Sequence, residues 1–300
     1  MIVCAVLACG EPGLPDSPPI AEIAERVHEI LIIDDRLERV EDFAHLLRGL
    51  PKSPQAALEV VAGYDESFID RGDIELVLVA EWWAPFDTEA ALDWSRSAWR
   101  AEHPRVAYAV LRSVARLDPQ IAIDAYHNMA VGRDGYRAYL QPIIVGWHES
   151  GWPGLIPFII GQPTNELQQL AFGTLARLQV LSLGPEKAME WAEEITTNEA
   201  ESFRRQILQR VAASVTEIEP RLAADWAEEL ILHEGASETL LRRVAGRWSR
   251  REPEAAFAWL MRFPATQHQQ QAVSQTFGLW MGRSLEDAEH WLLEQGDQVG

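Results

Sequence analysis

Four stretches in the second half of the chain share one pattern. Gly184-Pro185 leads to Trp191, Glu219-Pro220 to Trp226, Glu252-Pro253 to Trp259 and Ser284-Leu285 to Trp291, each Trp six residues after the Pro position. The Trp spacings are 35, 33 and 32 residues. Self-similarity at a period of this size constrains a fold more than any single residue does, because each unit must bury its apolar face against the next copy. Weaker copies lie upstream: Ser53-Pro54 leads to Val60, Asp87-Thr88 to Trp94, Asp118-Pro119 to Ala125 and Trp152-Pro153 to Ile159. A second apolar column stands five residues before the Pro column at Trp83, Val114, Val180, Val215, Trp248 and Trp280, with Trp147 displaced by one.

Each column has a physical reading. Proline suits the first helical position, where its missing N–H would be unpaired anyway and its φ is already helical. Ser53, Asp87, Asp118 and Ser284 then fall at the N-cap, where a side-chain oxygen can accept the free backbone donors. Glu219 and Glu252 cap less well but suit the positive end of the helix dipole. Six residues into the helix the Trp turns inward, and the second column closes the preceding helix, so the two columns should meet. Apolar residues between them recur at helical spacing: Ile207, Val211 and Val215; Leu241, Val244 and Trp248; Leu58, Val61 and Ala62. Strand-type alternation is absent. The expectation is an all-α chain of about eight helix pairs with a repeat of about 33 residues, preceded by a pair near residues 20–33 and 36–50. An α-solenoid is the leading architecture, and a closed α/α toroid is the alternative.

The helix-turn-helix unit and the Pro-to-aromatic spacing at Pro220/Trp226 and Pro253/Trp259 resemble tetratricopeptide-type repeats. The Leu-Gly pair that follows the Trp in that family is replaced here by Glu229-Leu230 and Arg262-Phe263. The resemblance implies a fold that stacks hairpins and binds proteins or peptides; a HEAT-like array stays open beside it.

Charge narrows the partner classes. The chain has 26 Lys plus Arg against 46 Asp plus Glu, a formal net charge of -20. No basic footprint for nucleic acid and no polybasic lipid patch stands out, so neither partner is expected. The two cysteines, Cys4 and Cys9, both precede the repeats, which leaves the body without a disulfide framework or a Cys-based zinc site. Val6-Leu7-Ala8-Cys9-Gly10 resembles a bacterial lipoprotein signal, with Cys9 as the lipidated residue and the Pro-rich run to Pro19 as a tether. That reading expects residues 1–18 to be a signal, tether or arm, residues 19–300 to be one helical-repeat domain, and the bacterial envelope as the location; a cytoplasmic protein is the alternative. The apolar run before Cys9 is short and no Lys or Arg precedes it.

Catalytic signatures are missing. The eight histidines form no His-Glu-x-x-His or His-x-x-x-His pair, and there is neither a phosphate-binding Gly-rich loop nor a Gly-x-Ser-x-Gly elbow. No cofactor is expected. Residues 126–163 depart most from the repeat, with Gly132, Gly135, Gly146, Gly151, Gly154 and Gly161 among aromatic residues. Tyr136, Tyr139, Trp147, His148 and Trp152 are the candidate lining of a concave, partner-gripping patch; the competing reading makes them core residues of a degenerate repeat. The function expected is a non-enzymatic protein–protein interaction scaffold. The alternative is an α/α-toroid enzyme or binding protein acting on glycans, which the Trp-rich composition suggests.

Overall fold

The computed structural model describes residues 18–66, 74–96, 104–129, 132–196, 201–234 and 239–298. Of the described residues 84% are helical, and no strand occurs among them. The chain groups into two compact units, Met1–Leu155 and Ile156–Gly300.

In the first unit a 3-10 turn (Ile20–Glu22) leads into α1 (Ile23–Leu31), followed by α2 (Arg36–Gly49), α3 (Pro54–Glu66), α4 (Ile74–Trp83), α5 (Thr88–Ser95), α6 (Pro104–Leu117), α7 (Pro119–Met129) and α8 (Gly132–Ser150). The even-numbered helices form a row: α2 packs on α4, α4 on α6 and α6 on α8, while α5 and α7 lie against the row and against their chain neighbours. The second unit follows the same plan. After α9 (Leu155–Ile160) come α10 (Asn165–Leu183), α11 (Pro185–Thr196), α12 (Glu201–Thr216), α13 (Pro220–Glu234), α14 (Thr239–Trp248), α15 (Pro253–Leu260), α16 (Gln267–Arg283) and α17 (Leu285–Gln298). Here α10, α12, α14 and α16 make the row, and α11, α13, α15 and α17 pack against it.

The helix starts follow local chemistry. Pro54, Pro119, Pro185, Pro220 and Pro253 are the first residues of α3, α7, α11, α13 and α15. The Ser53 hydroxyl accepts from the Ala56 N–H at 3.3 Å, Asp87 from Ala90 at 3.3 Å, and Asp118 from Gln120 at 2.8 Å. Glu252 makes no side-chain cap bond, as its longer arm suggests. Asp35, Thr164 and Thr266 cap α2, α10 and α16 in the same way. Pro153 is different: α9 begins two residues later and is only six residues long.

The two apolar columns meet. Trp83 at the end of α4 lies 5.5 Å from Trp94 on α5, Trp248 lies 6.2 Å from Trp259, and Trp280 lies 5.8 Å from Trp291, all as tilted rings. Where the columns hold aliphatic residues, Val60, Val114, Ile159, Val180 and Val215 are buried. Such pairs add about 0.5–1.5 kcal/mol beyond the area they remove from water. One sequence expectation is out of phase: Leu58 is 60% exposed, and α3 instead buries Ala56, Ala57, Val60 and Tyr64. Helix α3 has α1 as its principal neighbour, so its inward stripe is set by that contact and sits one position off the stripe through Leu58.

Glycine sets two close approaches, Gly63 of α3 against the Ala24 backbone on α1 and Gly146 of α8 against α6. Gly146 sits in α8 where it presses on α6, and a Cβ there would collide with the Arg112 carbonyl oxygen. Gly146→Ala should therefore part the two helices and lower stability by about 1–3 kcal/mol, read as a lower urea midpoint at unchanged m-value.

Candidate interaction surface

The segment that departs most from the repeat folds as α8 and the turn after it. Pro142 lies inside α8, where it removes one helical donor. The turn is built from Gly151 at φ 69° and Gly154 at φ 97°, conformations that a side chain would strain. Trp147 closes it: its indole N–H donates to the Trp152 carbonyl at 3.0 Å, and the Ser150 hydroxyl donates to the Trp147 carbonyl at 2.8 Å.

The candidate residues are distributed as follows. Trp147 is 6% exposed and packs beneath the turn, whereas Trp152 is 55% exposed on it. Tyr139 and His148 are both half-buried. Nine residues separate them, and at about 100° per residue that places them on opposite sides of the helix. The side chain of Tyr136 lies outside the described residues, as does all of residues 1–17 with Cys9. Only Trp147 and Trp152 are joined by a described bond.

The neighbouring face of the even row in the first unit carries a charge network that sequence reading missed. The Arg112 guanidinium on α6 donates from Nη2 to Glu149 Oε1 on α8 at 2.6 Å, and its Nε lies 3.1 Å from both Glu149 oxygens. Its Nη1 lies 3.7 Å from Glu81 on α4. The hydrogen bond to Glu149 raises the Arg112 pKa, against a smaller opposing effect of burial. Burial pushes the adjacent Tyr108 phenol up as well; Arg112 opposes that rise and Glu149 adds to it. One arginine thus bridges three successive helices between two carboxylates.

The even row of the second unit has the opposite character. Arg210 on α12 donates to the Gln169 amide oxygen on α10 at 3.1 Å. Arg247 on α14 pairs with Glu217, which follows α12. Arg243, one turn before Arg247, is half-buried and has no carboxylate partner among the described residues. Burial lowers its pKa, and so do Arg210, Arg247 and Arg242 in that order. Arg210 is lowered in the same way by burial and then by Arg247. A signal for this face exists in the sequence: α14 and α16 contain arginine and no acidic residue.

Two clefts open elsewhere. One of about 380 Å³ lies between α5 and α7 and is lined by Leu92, Ile121 and Ala125 together with Glu89, Asp93 and Asp124. The other, of about 490 Å³, lies between α15 and α17 beside Trp280, His290 and Trp291. No group of three or more His, Cys, Asp or Glu side chains placed to hold a metal ion occurs among the described residues. No described helix is long and apolar enough to cross a membrane. Comparison with protein-family models, with curated proteins and with solved structures finds no match to the chain in any of the three.

Proposed function

We propose that the chain is a non-enzymatic protein-interaction scaffold: an open α-solenoid of tetratricopeptide-like hairpins with a repeat of about 33 residues. The observation that carries this reading is the wiring between helices. Within each unit the described helices, the short α9 apart, pack mainly on their chain neighbours and on the helix two places along. Side-chain bonds between helices join residues a similar distance apart: Arg39 to Glu75 across 36, Trp226 to Glu193 across 33, Arg262 to Glu228 across 34 and Gln209 to Thr239 across 30. Arrays wired to nearest neighbours grow in one direction and present the same face of successive helices, which is the geometry that receives peptides and proteins. Lipidation at Cys9 would hold such an array at an envelope membrane.

The test is a photo-reactive phenylalanine analogue placed singly at Tyr139, His148 and Trp152 in the endogenous protein, with small-angle scattering of the purified chain alongside. One reproducible protein adduct, together with a radius of gyration clearly above the compact-globule value of about 19 Å for this length, is the expected result. A chain near that compact value that yields no adduct but binds glycans would replace the scaffold with a closed toroid.

A further inference from the structure

Charge in the second unit is sorted by layer. The even helices α10, α12, α14 and α16 carry eight arginines and two glutamates. The odd helices α11, α13, α15 and α17 carry fourteen carboxylates and two cations. In a chain of net charge -20 an arginine-rich row is a local exception to the overall composition. It is also built at a cost. Arg210, Arg243 and Arg247 are each half-buried and close enough to repel one another, with one Gln amide and one carboxylate, that of Glu217, as their described polar partners. Like charges crowded at partial burial destabilise a fold unless an anion shares the site.

We propose that the arginine face of α12 and α14 docks an acidic peptide segment of the partner, its carboxylates seated on the guanidinium groups of Arg210 and Arg243. This rests on the scaffold reading and names the chemistry of its partner. Arginine presents a planar fork that matches a carboxylate with two parallel hydrogen bonds. Arg210 and Arg243 hold the same register, each five residues before the apolar residue that ends the helix packing, Val215 and Trp248. Packed helix axes stand about 8–10 Å apart, and a polyproline II segment makes one turn in three residues at about 3.1 Å each. Two acidic side chains three residues apart on such a segment share one face about 9 Å apart and therefore span the two arginines. Gly173 on α10 stands beside Arg210, and a Cβ there would lie 3.9 Å from its Nη1, so the absence of a side chain leaves the guanidinium uncrowded on that side. A short segment is favoured over a long polyanion, because charges farther than about 8 Å are screened at physiological salt. A short peptide feels the arginines alone, while a nucleic acid strand would run on over the acidic remainder.

The probe is a fluorescein-labelled peptide of three Glu-Ser-Ser repeats closed by Glu, with its Gln counterpart as control, titrated into the full chain by fluorescence polarisation at 50 and 200 mM salt. Expected are saturable binding of the Glu peptide that weakens with salt, no binding of the Gln peptide, and at least a tenfold loss of affinity in Arg210→Gln and in Arg243→Gln. The circular dichroism melting point of Arg243→Gln should be unchanged or higher, since repulsion is relieved, which separates lost docking from lost folding. Equal affinity in the variants, or equal competition by polyuridylate, would overturn the proposal. Self-association of the chain that disappears in both variants would also overturn it, by making a second copy the occupant. If an endogenous partner still co-purifies with the double variant, the acidic-peptide assignment fails and the scaffold reading stands; if none co-purifies even with the wild-type chain, the scaffold reading itself fails.

Discussion

Arg39→Ala is expected to lower the stability of the first unit by about 3–5 kcal/mol, seen as a fall in melting temperature of roughly 6–20 °C for a unit of this size. The Arg39 Nε donates to Glu75 Oε1 at 2.8 Å, with side-chain exposures of 4% and 1%, and Arg39 Nη1 donates to the Ile33 carbonyl at 2.8 Å. The pair clips α2 to α4 from inside. Removing the arginine leaves the Glu75 carboxylate buried without its cation, and that stranded charge accounts for most of the loss. The double change Arg39→Met with Glu75→Leu checks the cause. Matched apolar side chains remove both charges, so the double variant should be near wild type or above it. A double variant as unstable as Arg39→Ala would show instead that the arginine acts through packing.

Trp259→Ala should cost the second unit about 3–5 kcal/mol, the range for emptying a large aromatic site. Trp259 is 3% exposed, lies 6.2 Å from Trp248, and meets Phe263 edge-on at 5.2 Å. Trp248 closes α14 and Trp259 lies within α15, so the change removes the contact that fastens the shorter helix. Trp259→Phe should recover more than half of the loss, because it keeps a ring against Trp248 and Phe263. It also deletes an indole N–H that is buried with no hydrogen-bond partner among the described residues. Chemical denaturation followed by far-ultraviolet circular dichroism reads both variants; equal losses for Ala and Phe would mean that ring contact contributes little.

What the sequence made legible was local. Helix starts could be read at Pro119, Pro220 and Pro253 because capping and proline chemistry act within one turn. The meeting of Trp83 with Trp94, and of Trp248 with Trp259, was legible because two columns at fixed offset can only face each other. What stayed hidden depends on which neighbour a helix finds. Leu58 looked inward by spacing, yet the contact with α1 turns α3 so that Leu58 faces water. The pairing of Arg39 with Glu75 was not legible, because nothing in either helix alone shows that they face each other across 36 residues. Gly146 stood out in the sequence only as one glycine of a departing repeat, whereas its missing side chain lets α8 touch the α6 backbone. For the candidate patch, sequence spacing could gather aromatic residues in one segment. It could not say that Trp147 turns under the loop while Trp152 turns out of it.

The layered charge of the second unit gives it a polarity that its total charge conceals. Arginine-rich and carboxylate-rich helices lie back to back, so the unit is an electric dipole through its own thickness. A dipole in a field experiences a torque before it experiences a net pull. Near a patterned surface the unit would rotate its arginine row toward negative charge even while the chain as a whole is repelled, and encounters would begin already oriented.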